Sequence, residues 1–136
     1  MPIRRLINRR DLPVDTRLDP NAGWVRMLVT WLATADTMGT RHLVLGHTVF
    51  PPVREGPSRH ALHRHPHAEE IEYIVRGRGR AVSGDEEFLV GEGDIIFVPQ
   101  GERHSLENVD PEQPLEVLWI YGGAASLAEA GYELVE

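Results

Sequence analysis

Histidines and acidic residues gather in two short stretches of the chain. The first stretch holds His63 and His65 followed by Glu70, and His104 lies in the second. Alternate side chains of a β-strand point to the same face, so His63 and His65 can reach one ion together. Pro66 breaks the strand, so that Glu70 can begin a new run that faces inward. These four residues predict a divalent-metal site.

The predicted donor set is three neutral imidazoles and one carboxylate, which suits Fe, Mn, Ni, Co or Zn. His104 comes from a distant strand, and Pro99-x-Gly101 supplies a tight turn just before it. A six-coordinate ion held by four protein donors keeps two positions for water or substrate. The predicted cofactor is therefore one divalent transition metal with open positions where chemistry can occur.

The spacing of these residues resembles the two motifs of a small single-domain cupin of the type-2 cupin family. The first motif, G(x)5HxH(x)3-4E(x)6G, fits from His63 to Gly77, although Gly56 lies one residue too far from His63. The second motif, G(x)5PxG(x)2H(x)3N, fits at every position from Gly93 to Asn108. The resemblance implies an all-β fold, the double-stranded β-helix or jelly-roll barrel.

A second frame has the same spacing, because His65-x-His67 is followed by Glu72 at the same distance. We prefer the frame that begins at His63, since its second histidine is followed by Pro66, as is common in the family. The frame that uses His65, His67 and Glu72 remains an alternative.

Glu72 lies two residues after Glu70 and faces the same way in a strand. A second inward carboxylate is costly to bury without a function, so we expect Glu72 to be the general acid/base or an outer partner of a ligating imidazole. The alternative is that Glu72 is solvated at the barrel mouth or pairs with Arg76. His60 and His67 flank the site and are expected to shape its entrance.

The composition limits the possible chemistry. The chain has no cysteine, which excludes disulfides, zinc-thiolate sites and thiol nucleophiles. All 14 basic side chains are arginine, which excludes a lysine Schiff base. The net charge of -7 argues against nucleic-acid binding. No stretch approaches the roughly 20 apolar residues of a membrane span, so we expect no membrane association and a cytoplasmic location.

Apolar residues recur with a period of two, and turn residues interrupt them at short intervals, which predicts an all-β barrel or sandwich. The first predicted strand also fits a helical repeat, but its aromatic and β-branched content favours a strand. A short C-terminal helix is predicted at Ala124–Ala130, ending at Gly131, with Tyr132–Val135 packing back onto the barrel. The predicted strands are Gly23–Leu32, Thr40–Phe50, Ile71–Val75, Arg80–Ser83, Glu87–Val90, Asp94–Val98, His104–Asn108 and Leu115–Tyr121.

The predicted organisation is an N-terminal arm at residues 1–22 and a single barrel domain at residues 23–136. Residues 1–17 carry five arginines against two aspartates, whereas the remainder is acidic, so the arm should dock on its own barrel or on a second subunit. Leu115–Tyr121 is apolar on both faces from Val117 onward, and its outer face should be covered by the arm or a partner. These features predict a homodimer.

The side chains that line the pocket depend on the strand register, because a slip of one residue exchanges the two faces of a strand. The sequence leaves this choice open. The candidate lining residues are Phe50, Met27, Phe97, Leu106, and either Trp119 or Ile120.

Three functions remain open at this point, each with a small-molecule ligand. The first is a non-haem Fe(II) dioxygenase that acts on a chelating oxygen-donor substrate, and the breadth of chemistry in the resembled family favours it. The second is an isomerase, lyase or decarboxylase in which Mn, Ni or Zn acts as a Lewis acid and Glu72 moves a proton. The third is a non-catalytic module that binds a metal and a sugar or small acid.

Overall fold

The computed structural model describes residues 3–135, so the ends of the predicted arm and barrel, at Met1, Pro2 and Glu136, lie outside the described residues. Within these residues, two short α-helices accompany the strands, α1 at Ala35–Met38 and α2 at Leu127–Ala130, and single 3-10 turns lie at Arg9–Asp11, Pro20–Ala22 and Val53–Glu55. The strands are β1 (Trp24–Val25), β2 (Leu28–Ala33), β3 (Leu43–Phe50), β4 (Arg59–Arg64), β5 (Glu69–Arg76), β6 (Arg78–Ser83), β7 (Glu86–Gly91), β8 (Ile95–Val98), β9 (His104–Asn108), β10 (Leu115–Gly122) and β11 (Glu133–Leu134).

The strands form two antiparallel sheets that pack face to face. The six-stranded sheet has the order β1-β4-β9-β6-β7, with β11 paired to β4, and the five-stranded sheet has the order β2-β3-β10-β5-β8. Strands that are neighbours in a sheet are often distant in the chain, as in a jelly roll. The predicted all-β double-stranded β-helix with a short C-terminal helix is confirmed.

The core lies between the sheets and is built from alternate residues of each strand. In β10 the inward side chains are Leu115, Val117, Trp119 and Tyr121, all of them buried. Ile120, between the last two, is 41% exposed on the opposite face. The register that the sequence left open is therefore fixed, with Trp119 inside and Ile120 outside.

The prediction of one strand at Gly23–Leu32 is wrong, because the chain bends at Arg26 and changes sheets. β1 pairs with β4 in the six-stranded sheet, and β2 pairs with β3 in the five-stranded sheet. Arg26 has a φ of 47°, a conformation that costs energy in a residue with a side chain. Its guanidinium donates to the carbonyl oxygens of Gly56 and Pro57, and the Ser58 hydroxyl donates to the Arg26 carbonyl at 2.6 Å. These bonds hold the bend.

Both short helices are bounded by caps. The segment between the first two predicted strands contains α1, which Thr34 caps through the backbone N–H groups of Asp36 and Thr37. The predicted C-terminal helix is shorter than expected, because Ser126 caps it and α2 begins at Leu127. Gly131 ends α2 as predicted, and β11 then pairs with β4.

The arm, residues 3–22, lies over β2 and β3 of its own chain. The Asp15 N–H donates to the Val29 carbonyl at 2.8 Å, and the Arg9 guanidinium lies 3.3 Å from Nε2 of His47. His47 faces outward from β3 and is buried under this arm, where it pairs with Glu116 at 2.7 Å. Within the described residues, no helix has the length and apolarity that crossing a bilayer requires.

Candidate metal centre

The four predicted donors lie on three neighbouring segments of the barrel. His63 is in β4 directly opposite His104 in β9. His65 follows the end of β4, and Glu70 is the second residue of β5, after the break at Pro66 that the sequence predicted. The sheet register and this break together aim the donors at one point inside the barrel.

The turn before His104 is tied to the first motif. The Glu102 N–H donates to the Pro99 carbonyl at 3.1 Å, which closes the predicted tight turn. Gly101 has a φ of 76°, which a side chain would make unfavourable. The Gly101 N–H donates to the His65 carbonyl at 3.1 Å. The proline and glycine of the second motif thus fix His104 relative to His65.

His63, His65, Glu70 and His104 form one compact cluster. One possible ligand atom from each residue lies within 4.8 Å of the others, and all four side chains are buried. His67 is exposed, so the alternative frame through His67 is not assembled in the structure.

The histidine tautomers leave one nitrogen of each ring for a ligand. In each of the three rings Nδ1–H donates to a backbone carbonyl. His63 donates to Ala61 at 2.6 Å, His65 to Gly131 at 2.7 Å and His104 to Glu102 at 3.1 Å. Backbone bonds of this kind orient metal-binding imidazoles and leave Nε2 as the donor atom. Within the described residues, the buried Nε2 atoms of His63 and His65 have no hydrogen-bond partner. A buried polar atom without a partner lowers the stability of the fold. One metal ion would bind both Nε2 atoms, so the donor set fits a metal.

The electrostatics of the cluster are dominated by Glu70. Its Oε1 lies 2.9 Å from Nε2 of His104 and 3.5 Å from Nε2 of His65. Burial would lower the pKa of His104, but the charge and hydrogen bond of Glu70 raise it to about 9. Burial would likewise raise the pKa of Glu70, but the His104 charge and hydrogen bond keep it well below its ordinary value. The cavity is thus arranged to hold a positive charge against the Glu70 carboxylate.

Glu72 is the second buried carboxyl group of the site. It faces inward with Glu70 and is 7% exposed, so it is not solvated at the barrel mouth. Burial first, and then the negative charge of Glu70, raise its pKa well above the ordinary value. The alternative ion pair with Arg76 is not formed, because Arg76 pairs with Glu116 on the outer face at 2.9 Å.

A small cavity of about 20 Å³ lies beside the cluster, with Glu70 and Glu72 in its wall. This volume is close to that of one ordered water. Four of the candidate lining residues face it, whereas Phe97 and Ile120 are exposed on the outer face of the barrel. The four are Met27, Phe50, Leu106 and Trp119.

Two aromatic residues outside the motifs also support the site. The ring centroid of His60 lies 3.6 Å from that of His63, in a stacked arrangement. His60 Nε2 lies 3.1 Å from the Tyr132 hydroxyl, which donates to the Ala22 carbonyl at 2.6 Å. His60 therefore lines the cavity and stacks on a proposed metal ligand, whereas the sequence predicted only that it shapes the entrance. The sequence predicted that Tyr132–Val135 packs back onto the barrel, but it did not predict the contact between the Tyr132 hydroxyl and His60.

A family model described as "Cupin domain" matches residues 47–121, which include both motifs. Among curated proteins, an uncharacterized protein of Methanocaldococcus jannaschii is 41% identical over 61 residues, which are 45% of this chain and 48% of that protein. An oxalate-binding protein of Thermotoga maritima is 30% identical over 77 residues, 57% of this chain and 60% of that protein. The matched region spans about half the length of these two relatives.

Solved structures with the same fold cover nearly the whole chain. The polyketide cyclase RemF of Streptomyces resistomycificus matches with a TM-score of 0.75 and 21% identity over 98% of this chain and 87% of that one. A predicted oxalate decarboxylase of Thermotoga maritima matches with a TM-score of 0.70 and 23% identity over 87% and 98%. An oxalate oxidase matches with a TM-score of 0.71 and 20% identity over 96% and 63%. At these identities the likeness shows the fold alone.

Proposed function

The chain belongs to the cupin family, and from this premise we propose that it is a metal-dependent enzyme acting on a small oxygen-donor molecule. The observation that carries the proposal is the pair of buried Nε2 atoms, on His63 and His65, that lack a partner beside the Glu70 carboxylate. Building such a cluster without a ligand would cost stability.

The proposed ligands are His63, His65, Glu70 and His104, and the cofactor is one divalent transition metal. Such an ion, when bound, polarises an oxygen donor as a Lewis acid or, as Fe(II), reacts with dioxygen. Because the donors are the same in both cases, the surrounding residues must favour one reaction class over the other.

Glu72 favours proton transfer, and so an isomerase, lyase or decarboxylase. It is the carboxyl group in the cavity wall that the proposed ligand set does not use. We assign it the role of general acid/base, because its buried side chain can hold a proton facing a substrate bound in the cavity. A predicted oxalate decarboxylase among the structural neighbours is consistent with this class.

The dioxygenase favoured by the resemblance is the second candidate. The rest of the cavity wall is mainly apolar, with Phe50, Leu106, Val117 and Trp119 around the carboxylates. An apolar wall excludes water from a reactive centre, which an oxygen-dependent reaction requires. The likeness to an oxalate oxidase supports the same candidate.

The size of the cavity limits the substrate. The space of about 20 Å³ beside the donors holds about one ordered water, so even a small organic acid can bind only when the residues at the mouth move. We therefore propose a small carboxylic or keto acid as substrate. A second copy of the chain is the proposed macromolecular partner.

Reconstitution separates the candidates. Metal-free protein is loaded in turn with Fe(II), Mn(II), Co(II), Ni(II) or Zn(II), and oxygen consumption and carbon dioxide release are followed with small dicarboxylic acids, keto acids and diketones. If the wild type turns over substrate in the absence of oxygen and Glu72→Gln does not, the acid–base enzyme is supported. Oxygen uptake with Fe(II) supports the dioxygenase. Binding of these acids to every metal form without turnover would refute an enzyme and favour a binding module.

A further inference from the structure

Residues 130–135 leave α2 and lie beside β4, and we call them the return segment. Its strand β11 pairs with β4 so that Leu134 lies opposite His63. The Val135 N–H donates to the Leu62 carbonyl at 2.9 Å, which extends this pairing beyond β11. The return segment is therefore attached to the strand that carries the first proposed metal ligand.

The backbone of the return segment orients the second proposed ligand. His65 follows the end of β4, so the sheet pairing does not fix its ring. The Gly131 carbonyl accepts the Nδ1–H of His65 at 2.7 Å and sets the direction of the ring. The contact is tight, because a Cβ on Gly131 would lie 2.9 Å from Cδ of Pro66.

An aromatic stack connects the return segment to His63. The Tyr132 ring stacks on those of His63 and Trp24, with centroid distances of 5.1 and 5.0 Å. The Tyr132 hydroxyl donates to the Ala22 carbonyl at 2.6 Å, so its oxygen can accept the Nε2–H of His60 at 3.1 Å. His60 in turn stacks on His63 at 3.6 Å. These contacts restrict the orientations open to the His63 ring.

The return segment thus contacts the two ligands that lack another partner at Nε2. Within the described residues, the buried Nε2 atoms of His63 and His65 have no hydrogen-bond partner, whereas Nε2 of His104 lies 2.9 Å from Glu70. The match to the family model ends at residue 121, before the return segment begins. Part of the orientation of the first two ligands therefore comes from outside the motifs.

We infer, on the premise of the proposed metal-dependent function, that the return segment positions the metal ligands and that its docking on β4 is coupled to metal binding. Gly131 and Tyr132 hold the rings of His65 and His63 in the orientation that an ion requires. An ion that binds the oriented rings favours the docked segment. By linkage, docking raises the metal affinity by the factor by which the ion favours docking. Gly131 and Tyr132 are positioning residues.

The first test disturbs the docking with a single methyl group. Gly131 has a φ of 81°, and an added Cβ would meet Pro66, so Gly131→Ala should move the carbonyl away from His65. Gly93→Ala is the matched control. Its φ is 88°, and an added Cβ would have no atom within 4 Å, so the same backbone strain arises away from the return segment.

The probe is Co(II), whose affinity is measured by competition with a chelator and whose visible absorption reports its coordination. Gly131→Ala should bind Co(II) roughly 10–100-fold more weakly than Gly93→Ala, with altered absorption. Urea denaturation compares the stabilities of the two variants. Equal affinities and spectra would overturn the inference and leave the proposed function intact. A wild type that binds no Co(II) would refute the ligand assignment and the inference with it.

A second variant tests the aromatic stack without straining the backbone. Tyr132→Leu removes the ring and the hydroxyl and should weaken Co(II) binding, whereas Tyr132→Phe keeps the ring and should recover part of the loss. Tyr73→Leu is the control, because Tyr73 is 43% exposed on the outer face of β5. Wild-type affinity and absorption in Tyr132→Leu would overturn the positioning role of Tyr132.

The reciprocal test follows the return segment itself by amide hydrogen exchange. The Val135 N–H reports its docking, and the Asp15 N–H, which donates to the Val29 carbonyl in the arm, reports a region away from the metal ligands. Saturating Zn(II) should slow exchange at Val135 by a larger factor than at Asp15. Equal slowing at both amides, or none, would overturn the coupling, because the ion would then not select the docked segment.

Discussion

β5 carries opposite chemistry on its two faces, and the pattern is the reverse of an ordinary amphipathic strand. Between residues 70 and 73, the inward side chains Glu70 and Glu72 are ionisable carboxyl groups that are 5% and 7% exposed, whereas the outward side chains Ile71 and Tyr73 are largely apolar and each 43% exposed. Burial of charge and exposure of apolar surface both cost stability unless a partner is present. Both faces of this part of β5 therefore carry groups that need a partner, which on the inner face the proposed metal would supply.

The largest expected effect comes from removing a donor on the inner side. His104→Ala should lose its metal entirely, beyond the roughly 10–100-fold loss of affinity that outer-shell changes cause, because a ligand itself is gone. The barrel should remain folded, since the remaining core is intact. Metal content is measured by elemental analysis after reconstitution, with His67→Ala, an exposed histidine near the cluster, as the control that keeps its metal. Full metal occupancy in His104→Ala would refute the four-donor assignment.

A smaller effect is expected from the second inward carboxylate. Glu72→Gln should keep its metal but lose roughly 10²–10⁴-fold in turnover, because it can no longer donate and accept a proton. The matched control is Glu69→Gln on the same strand, whose side chain is exposed. Loss of metal from Glu72→Gln would instead make Glu72 a ligand, and unchanged turnover would remove its proposed role.

The inner wall can be disturbed without touching a charged group. Gly46 packs against the Trp119 ring, and a Cβ at this position would overlap that ring. Gly46→Ala should therefore lower the free energy of unfolding by about 1–3 kcal/mol, as overpacking does. Urea denaturation measures the change, with Gly91→Ala as the control, because there the nearest atom to an added Cβ is 3.9 Å away. Equal stability of both variants would show that the wall is loosely packed.

The smallest effect on the site is expected from the outward side of β5. Tyr73→Thr should leave metal content and turnover unchanged, because the side chain points away from the cavity and the β-branched replacement suits a strand. Both quantities are measured as for the inward variants. A loss of metal in Tyr73→Thr would show that the two faces are not independent.

The motif spacing was enough to predict which four side chains meet. Strand alternation placed His63 and His65 together, and the break at Pro66 reversed the direction of Glu70, as the structure shows. Strand β9 was predicted with its observed bounds, His104–Asn108, because a proline-glycine turn precedes it. Local rules fix these features, since each depends on residues that are close in the chain.

Features that depend on distant contacts were not predictable. The bend at Arg26 is held by carbonyl groups some thirty residues away, so the segment reads as one continuous strand in the sequence. The lining of the cavity required the register of β10, which its neighbouring strands set. The approach of Tyr132 to His60 depends on the pairing of β11 with β4. In each case, contacts between segments that are distant in the chain selected one of several conformations that the local sequence allows.

The most direct test of the central claim is anomalous diffraction from crystals grown with a divalent transition metal. A single strong peak is expected roughly 2 Å from Nε2 of His63, His65 and His104 and from a carboxylate oxygen of Glu70. No peak among these atoms at full metal concentration, with the four side chains still gathered, would contradict the account.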